Sequence, residues 1–179
     1  PNNTLTRAEM ATIFCRMFNV KPLTIQPCFN DVTSADWYYG NVMALVEIGV
    51  LKEDTLFNPN ALVSQEQFVA MLYRMLDNMG YVNEKAEFDF NRYVDINSVS
   101  SYAKDAYAYL FANNYAGYYT VGAEIIENDY LDMADDEYRL NPGAPVSRSD
   151  CAARLDEFTT SFIRKNAPAV KKKTAPNVE

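Results

Sequence analysis

One nine-residue pattern occurs three times in this chain and makes it a repeat protein before any other feature is weighed. Pro1 to Glu9, Pro59 to Gln67 and Pro142 to Asp150 align without gaps. Each has a proline, three loop positions, an apolar residue, a hydroxyl residue, two further positions, and then a carboxylate or amide. That spacing starts a helix. Thr6, Ser64 and Ser147 are N-cap residue types, and Glu9, Gln67 and Asp150 stand three residues on, at N3. A hydroxyl at N-cap and a carboxylate or amide at N3 satisfy each other's backbone amides, with Asp150 a shorter version of the partner. Leu5, Val63 and Val146 precede the caps, where a hydrophobic staple belongs. Apolar residues then recur at helical spacing: Met10, Ile13, Phe14 and Met17, then Phe68, Met71, Leu72 and Met75, and more weakly Cys151, Leu155, Phe158 and Phe162.

A second shared pattern lies upstream of the second and third starts. Phe29-Asn30-Asp31-Val32 corresponds to Tyr93-Val94-Asp95-Ile96. Trp37, Val42, Leu45 and Gly49 correspond to Tyr102, Tyr107, Leu110 and Asn114 after one inserted residue. This predicts a first helix of about ten to twelve residues, ended at Gly49 and Asn114 by the two residue types that tolerate a left-handed terminus. The unit is helix, loop, helix. Residues 1–20 hold the second half of one unit, residues 28–78 a whole unit, and residues 92–165 a whole unit with an insertion at about 118–138. Segment 79–91 reads as a polar linker, and 166–179, with Lys171, Lys172 and Lys173, as a disordered tail. The expected fold is mainly α: tandem helix–loop–helix repeats with the first repeat incomplete, and with Ile13, Phe14 and Met17 buried against the other two units.

Composition narrows function. A net charge of −8 argues against nucleic acid as partner. No apolar run approaches the ~18 residues of a membrane span. With no histidine, triads built on imidazole and His-containing zinc sites are excluded. Cys15, Cys28 and Cys151 have no C-x-x-C spacing; Cys15 and Cys151 read as buried small hydrophobes, and a Cys15–Cys28 bridge stays open. No cofactor is implied. The carboxylates Glu124, Glu127, Asp129, Asp132, Asp135, Asp136 and Glu137 of the insertion lack the spacing of a calcium loop and read as solvated. No motif fixes two carboxylates across a cleft, so a glycosidase is disfavoured and the chain reads as non-catalytic.

At this point the residues resemble a family. Phe-x-Asp-Val, Trp, Val-x-x-Leu-x-x-x-Gly-Val and Phe-x-Pro in the Phe29–Arg74 repeat, with Thr6-Arg7-Ala8-Glu9 from the first start, resemble the S-layer homology domain. The resemblance covers about 85% of the chain. It implies three repeats packed as a pseudo-threefold helical bundle that binds secondary cell-wall polysaccharide, a peptidoglycan-linked glycan that is often pyruvylated, in grooves between repeats. It places such a chain outside the cell, at the cell wall or S-layer of Gram-positive and related bacteria. There it holds a cargo domain of the same longer chain.

The candidate glycan-binding residues are Thr6, Arg7, Glu9, Asp31, Trp37, Ser64, Gln65, Asp95, Tyr102, Ser147 and Arg148. Arg7 and Arg148 occupy N1, beside unpaired first-turn amides and the positive end of the helix dipole, where a guanidinium can take a carboxylate in bidentate fashion. In the family the arginine of the tetrapeptide is associated with glycan binding. Thr6, Glu9, Ser64 and Ser147 also read simply as caps. Asp31 and Asp95 read as turn-formers or ligand contacts, Trp37 as a first-helix anchor or a ring for stacking on a sugar face. Tyr102 belongs to a cluster with Tyr107, Tyr109, Tyr115, Tyr118 and Tyr119 that reads as helical core or as a carbohydrate-facing patch. Gln65 replaces the arginine of the second start, which predicts a groove weak for anionic glycan. The competing reading is a protein–protein interaction module built from degenerate repeats.

Overall fold

A computed structural model describes residues 3–113, 124–126 and 137–163. The chain is mainly helical. Among the described residues α1 spans Arg7–Met17, α2 Tyr39–Glu47, α3 Gln65–Asn78, α4 Ser101–Ala112 and α5 Arg148–Glu157, with a π-helical segment over Phe158–Ile163. A two-stranded antiparallel ribbon joins β1 (Glu124–Ile126) to β2 (Glu137–Arg139), with Ile125 opposite Tyr138.

The three predicted starts are nearly superimposable in backbone. Thr6, Ser64 and Ser147 take φ/ψ of −83/160, −80/162 and −81/162, and each closes a full capping box, including the one that uses Asp150. The starts also bind one another. Leu5 N–H donates to Val146 O, Val146 N–H to Val63 O, and Val63 N–H to Leu5 O, at 2.8–2.9 Å. These three bonds close a ring. A second set closes a ring in the opposite cyclic order: Arg7 N–H to Ala61 O, Gln65 N–H to Ala144 O and Arg148 N–H to Asn3 O. Residues 3–20 are thus bound into the rest, with Phe14 buried and Ile13 and Met17 half-buried.

Each first helix packs on the second helix of the preceding unit. α1 packs on α2 and α3 on α4, and the second helices meet through Phe14–Phe68 and Phe18–Phe158. Gly49 closes α2 at φ +76, as expected; Asn114, its predicted counterpart, lies outside the described residues. So do residues 166–179, Tyr115, Tyr118, Tyr119 and the carboxylates from Glu127 to Asp136. The ribbon lies within and at the end of the segment read as an insertion, and Glu137 on it is exposed. Tyr138 N–H donates to Arg92 O and Val94 N–H to Tyr138 O, which ties β2 to the segment before Asp95. Segment 79–91 has no regular structure, yet it is not simply polar. Phe88 and Phe90 pack on Phe111 at 5.2 and 5.8 Å between ring centroids. Cys15, Cys28 and Cys151 are all free thiols, and the first and last are buried.

Candidate functional site

Two aspartates shape the loops that lead into the second helices. Asp31 accepts hydrogen bonds from the amides of Phe57 and Asn58, both at 2.7 Å. Asp95 does the same for Leu140 at 2.8 Å and Asn141 at 2.7 Å. Asn58 and Asn141 then turn through φ of +54 and +48, a left-handed conformation that asparagine tolerates. Each carboxylate therefore spends both oxygens holding a turn in front of a proline. The turn presents Phe57 O and the Phe57 ring to Arg7: Nε donates to that carbonyl at 2.7 Å, and Cζ sits 4.9 Å from the ring centroid.

Arg7 lines an open groove of about 320 Å³ that runs between the Leu51–Leu56 loop, α3 and α4. Lys52 and Arg74 add positive charge, Glu53 and Asp54 negative charge, and Tyr102 a half-exposed ring. Burial lowers the Arg7 pKa from its usual value, against the pull of Tyr102, Asp31 and Asp54 toward a higher one. The groove wall is stiff. Glu66 accepts from the Ser100 amide and hydroxyl at 2.9 Å each and from the Tyr102 hydroxyl at 3.0 Å, so a side chain of α3 caps α4. Burial first, and then the hydrogen bond to Glu66, push the Tyr102 phenol up to about 12.

The first-turn amides of α1 and α3 are not open to an anion, contrary to expectation. At α1 the Arg7, Ala8 and Glu9 N–H groups donate to Ala61 O, Pro59 O and Thr6 Oγ1. At α3 those of Gln65, Glu66 and Gln67 donate to Ala144 O, Pro142 O and Ser64 Oγ. The neighbouring start supplies the carbonyls for the first two amides of each helix, so what these two starts present at the surface is side chains.

The predicted residues divide into groups. Arg7 and Tyr102 share the groove, and Asp31 stands behind it. Thr6, Ser64 and Ser147 spend their hydroxyls on caps. Arg148 does not line the groove; it pairs with Glu9. Asp95 holds the corresponding loop of the third unit. Gln65 is only 8% exposed, and its Oε1 meets no partner among the described residues. Trp37 is no core anchor: it is 65% exposed, because it lies just before the cap of α2 while Tyr38 and Tyr39 take the buried places. Its ring stands edge-on to Tyr38 at 5.3 Å, and Tyr38 packs on Phe57 at 6.4 Å. Sequence reasoning missed Lys52, Arg74 and Glu66. Gln67, Ala70, Met71 and Arg74 follow helical spacing along one face of α3, and that periodicity was the available signal for Arg74.

Helical segments tied start to start, with a guanidinium at the edge of an open groove, define a mainly helical repeat protein with an open surface groove. Residues 29–69 of the chain match the S-layer homology domain. The chain is similar to the Surface-layer 125 kDa protein of Lysinibacillus sphaericus, 29% identical over 154 residues, 85% of this chain and 11% of that one. It is similar also to an amylopullulanase of Thermoanaerobacterium thermosulfurigenes, 29% identical over 109 residues, 60% of this chain and 6% of that one. The chain therefore spans about a tenth or less of these relatives' lengths. The matched domain is a non-catalytic anchoring domain, and the match together with the surface-layer relative indicates the cell surface and cell wall. Among the described residues no helix is long and apolar enough to cross a membrane.

Proposed function

We propose that this chain is a non-catalytic module that anchors a longer protein to the cell surface by binding an acidic secondary cell-wall polysaccharide. Its three units, at about 1–20, 28–78 and 92–165, are taken to be related by a pseudo-threefold axis through the ring of Leu5, Val63 and Val146; the cyclic order of both hydrogen-bond sets supports this. The observation that carries the binding reading is Arg7, held by Phe57 at the edge of an open groove that Lys52, Arg74 and Tyr102 also line. A sugar carboxylate, such as a ketal-linked pyruvate, suits the guanidinium, and pyranose C–H faces suit Tyr102 and the exposed Trp37.

The test is retention on purified peptidoglycan–polysaccharide sacculi. Binding that hydrofluoric acid treatment of the wall abolishes, and that Arg7→Gln weakens, supports the proposal; equal retention on treated and untreated sacculi defeats it. One observation favours the second reading, a protein-interaction module: the buried, uncharged Gln65 leaves the second start without a cation. In that case binding survives removal of the polysaccharide.

A further inference from the structure

The second start differs from the other two at one position besides Gln65. Glu66 stands at N2 of α3, where the first start has the buried Ala8 and the third the exposed Ser149. Its two oxygens take three hydrogens from the beginning of α4. These come from the Ser100 amide at 2.9 Å, the Ser100 hydroxyl at 2.9 Å and the Tyr102 hydroxyl at 3.0 Å.

A carboxylate has no hydrogen to give, so the single hydrogen of the Tyr102 phenol points at Glu66. The phenol, pushed up to about 12, keeps that hydrogen throughout the neutral range. Oη therefore has only lone pairs left for any other partner. Tyr102 lines the groove with Arg7 and Arg74 and is near enough to both to act on their charge. Each guanidinium spends one N–H on a carbonyl, Arg7 on Phe57 O and Arg74 on Val50 O. Among the described residues their other N–H groups make no hydrogen bond or ion pair. Two cationic donor groups and one neutral acceptor thus share the groove. The acceptor owes its polarity to Glu66, which does not itself line the groove.

We propose that Glu66 is a positioning residue that sets what this groove selects: an acidic saccharide with a free hydroxyl near its acid group. Arg7 and Arg74 take the acid, and the hydroxyl donates to Tyr102 Oη. A saccharide with that hydroxyl blocked brings an acceptor to an acceptor and forfeits the bond. The inference rests on the wall-glycan binding proposed above.

The probe is the polysaccharide released from sacculi by hydrofluoric acid, immobilised in its native form and after O-acetylation, which blocks hydroxyls and leaves acid groups. The parent is expected to bind the native form on the order of tenfold more tightly, the worth of about one hydrogen bond. Tyr102→Phe removes the acceptor. Glu66→Gln exchanges one acceptor oxygen for an amide donor and so frees the phenol hydrogen. Both variants are expected to keep the helical circular dichroism and to bring the ratio of the two affinities below about twofold. Ser100→Ala deletes a bond to Glu66 outside the groove, and is expected to lower the melting temperature with the ratio unchanged. A ratio that persists in Tyr102→Phe or Glu66→Gln overturns the proposal. So does a ratio lost as fully in Ser100→Ala, which assigns the effect to the cap of α4. A parent without preference for the native form overturns it too and leaves wall anchoring standing; a parent that binds neither form ends the wall-anchoring reading itself.

Discussion

The guanidinium of Arg148 pairs with the carboxylate of Glu9, 139 residues earlier in the chain. The other oxygen of Glu9 accepts the Thr6 amide at 3.0 Å, so one side chain closes the cap of α1 and holds the third start against it. Glu9→Ala removes both functions and is expected to lower stability by roughly 1–2 kcal/mol. Glu9→Gln keeps an acceptor for Thr6 and loses only a partly exposed ion pair, less than about 1 kcal/mol. Urea unfolding of the two variants measures the difference, and added salt is expected to bring Glu9→Gln closer to the parent.

Asp31 and Asp95 perform one task twice, so their variants are expected to behave alike. Deleting either carboxylate leaves two amides without an acceptor. Asp31→Ala and Asp95→Ala are each expected to cost roughly 1–3 kcal/mol, with similar shifts in the urea midpoint. A large inequality between them contradicts the equivalence of the two loops.

Arg7→Gln is expected to keep the helical circular dichroism of the parent and to weaken sacculus binding on the order of tenfold, the loss of about one charge-assisted hydrogen bond. Gln65→Arg is expected to gain no affinity. The side chain at that start is buried, so a guanidinium placed there meets a desolvation cost and lowers the melting temperature.

Alkaline pH should loosen the fold. Burial pushes the Cys15 and Cys151 thiols from 9.0 up to about 11, and the Tyr102 phenol from 10.0 to about 12. In each case the folded state favours the protonated form. The contribution is whole below the unfolded values and is lost as pH rises through the folded ones. The melting temperature is expected to fall between about pH 9 and 12, with little change on this account from pH 6 to 8. At pH 8 a thiol reagent should label the half-buried Cys28 first, and Cys15 and Cys151 only after denaturant is added.

What was legible in the sequence was local chemistry. A hydroxyl three residues ahead of a carboxylate or amide favours a capping box, and all three caps appear where that spacing put them. The aspartate loops, the left-handed Gly49 and the buried thiols follow from equally local rules. What was not legible depends on neighbours distant in sequence. The first-turn amides of α1 and α3 looked open, but carbonyls from the next start fill them. Arg154, to which the sequence assigned no role, is 1% exposed and lies over the ring of Phe68 of another unit at 5.4 Å. Phe88 and Phe90 alternate with Glu87 and Asp89, a period of two that marks half-buried extended chain, and the charged residues between them hid it.

The ring of Leu5, Val63 and Val146 has no free end. Each residue both gives and receives, so any two of the segments without the third leave one amide and one carbonyl idle in a place where the side chains are at most 1% exposed. The segments stand far apart along the chain, so a nascent polypeptide holds only one of the three bonds of this junction until the last segment has been made. Assembly is then expected to be all or none, with a single kinetic phase and no stable two-unit fragment.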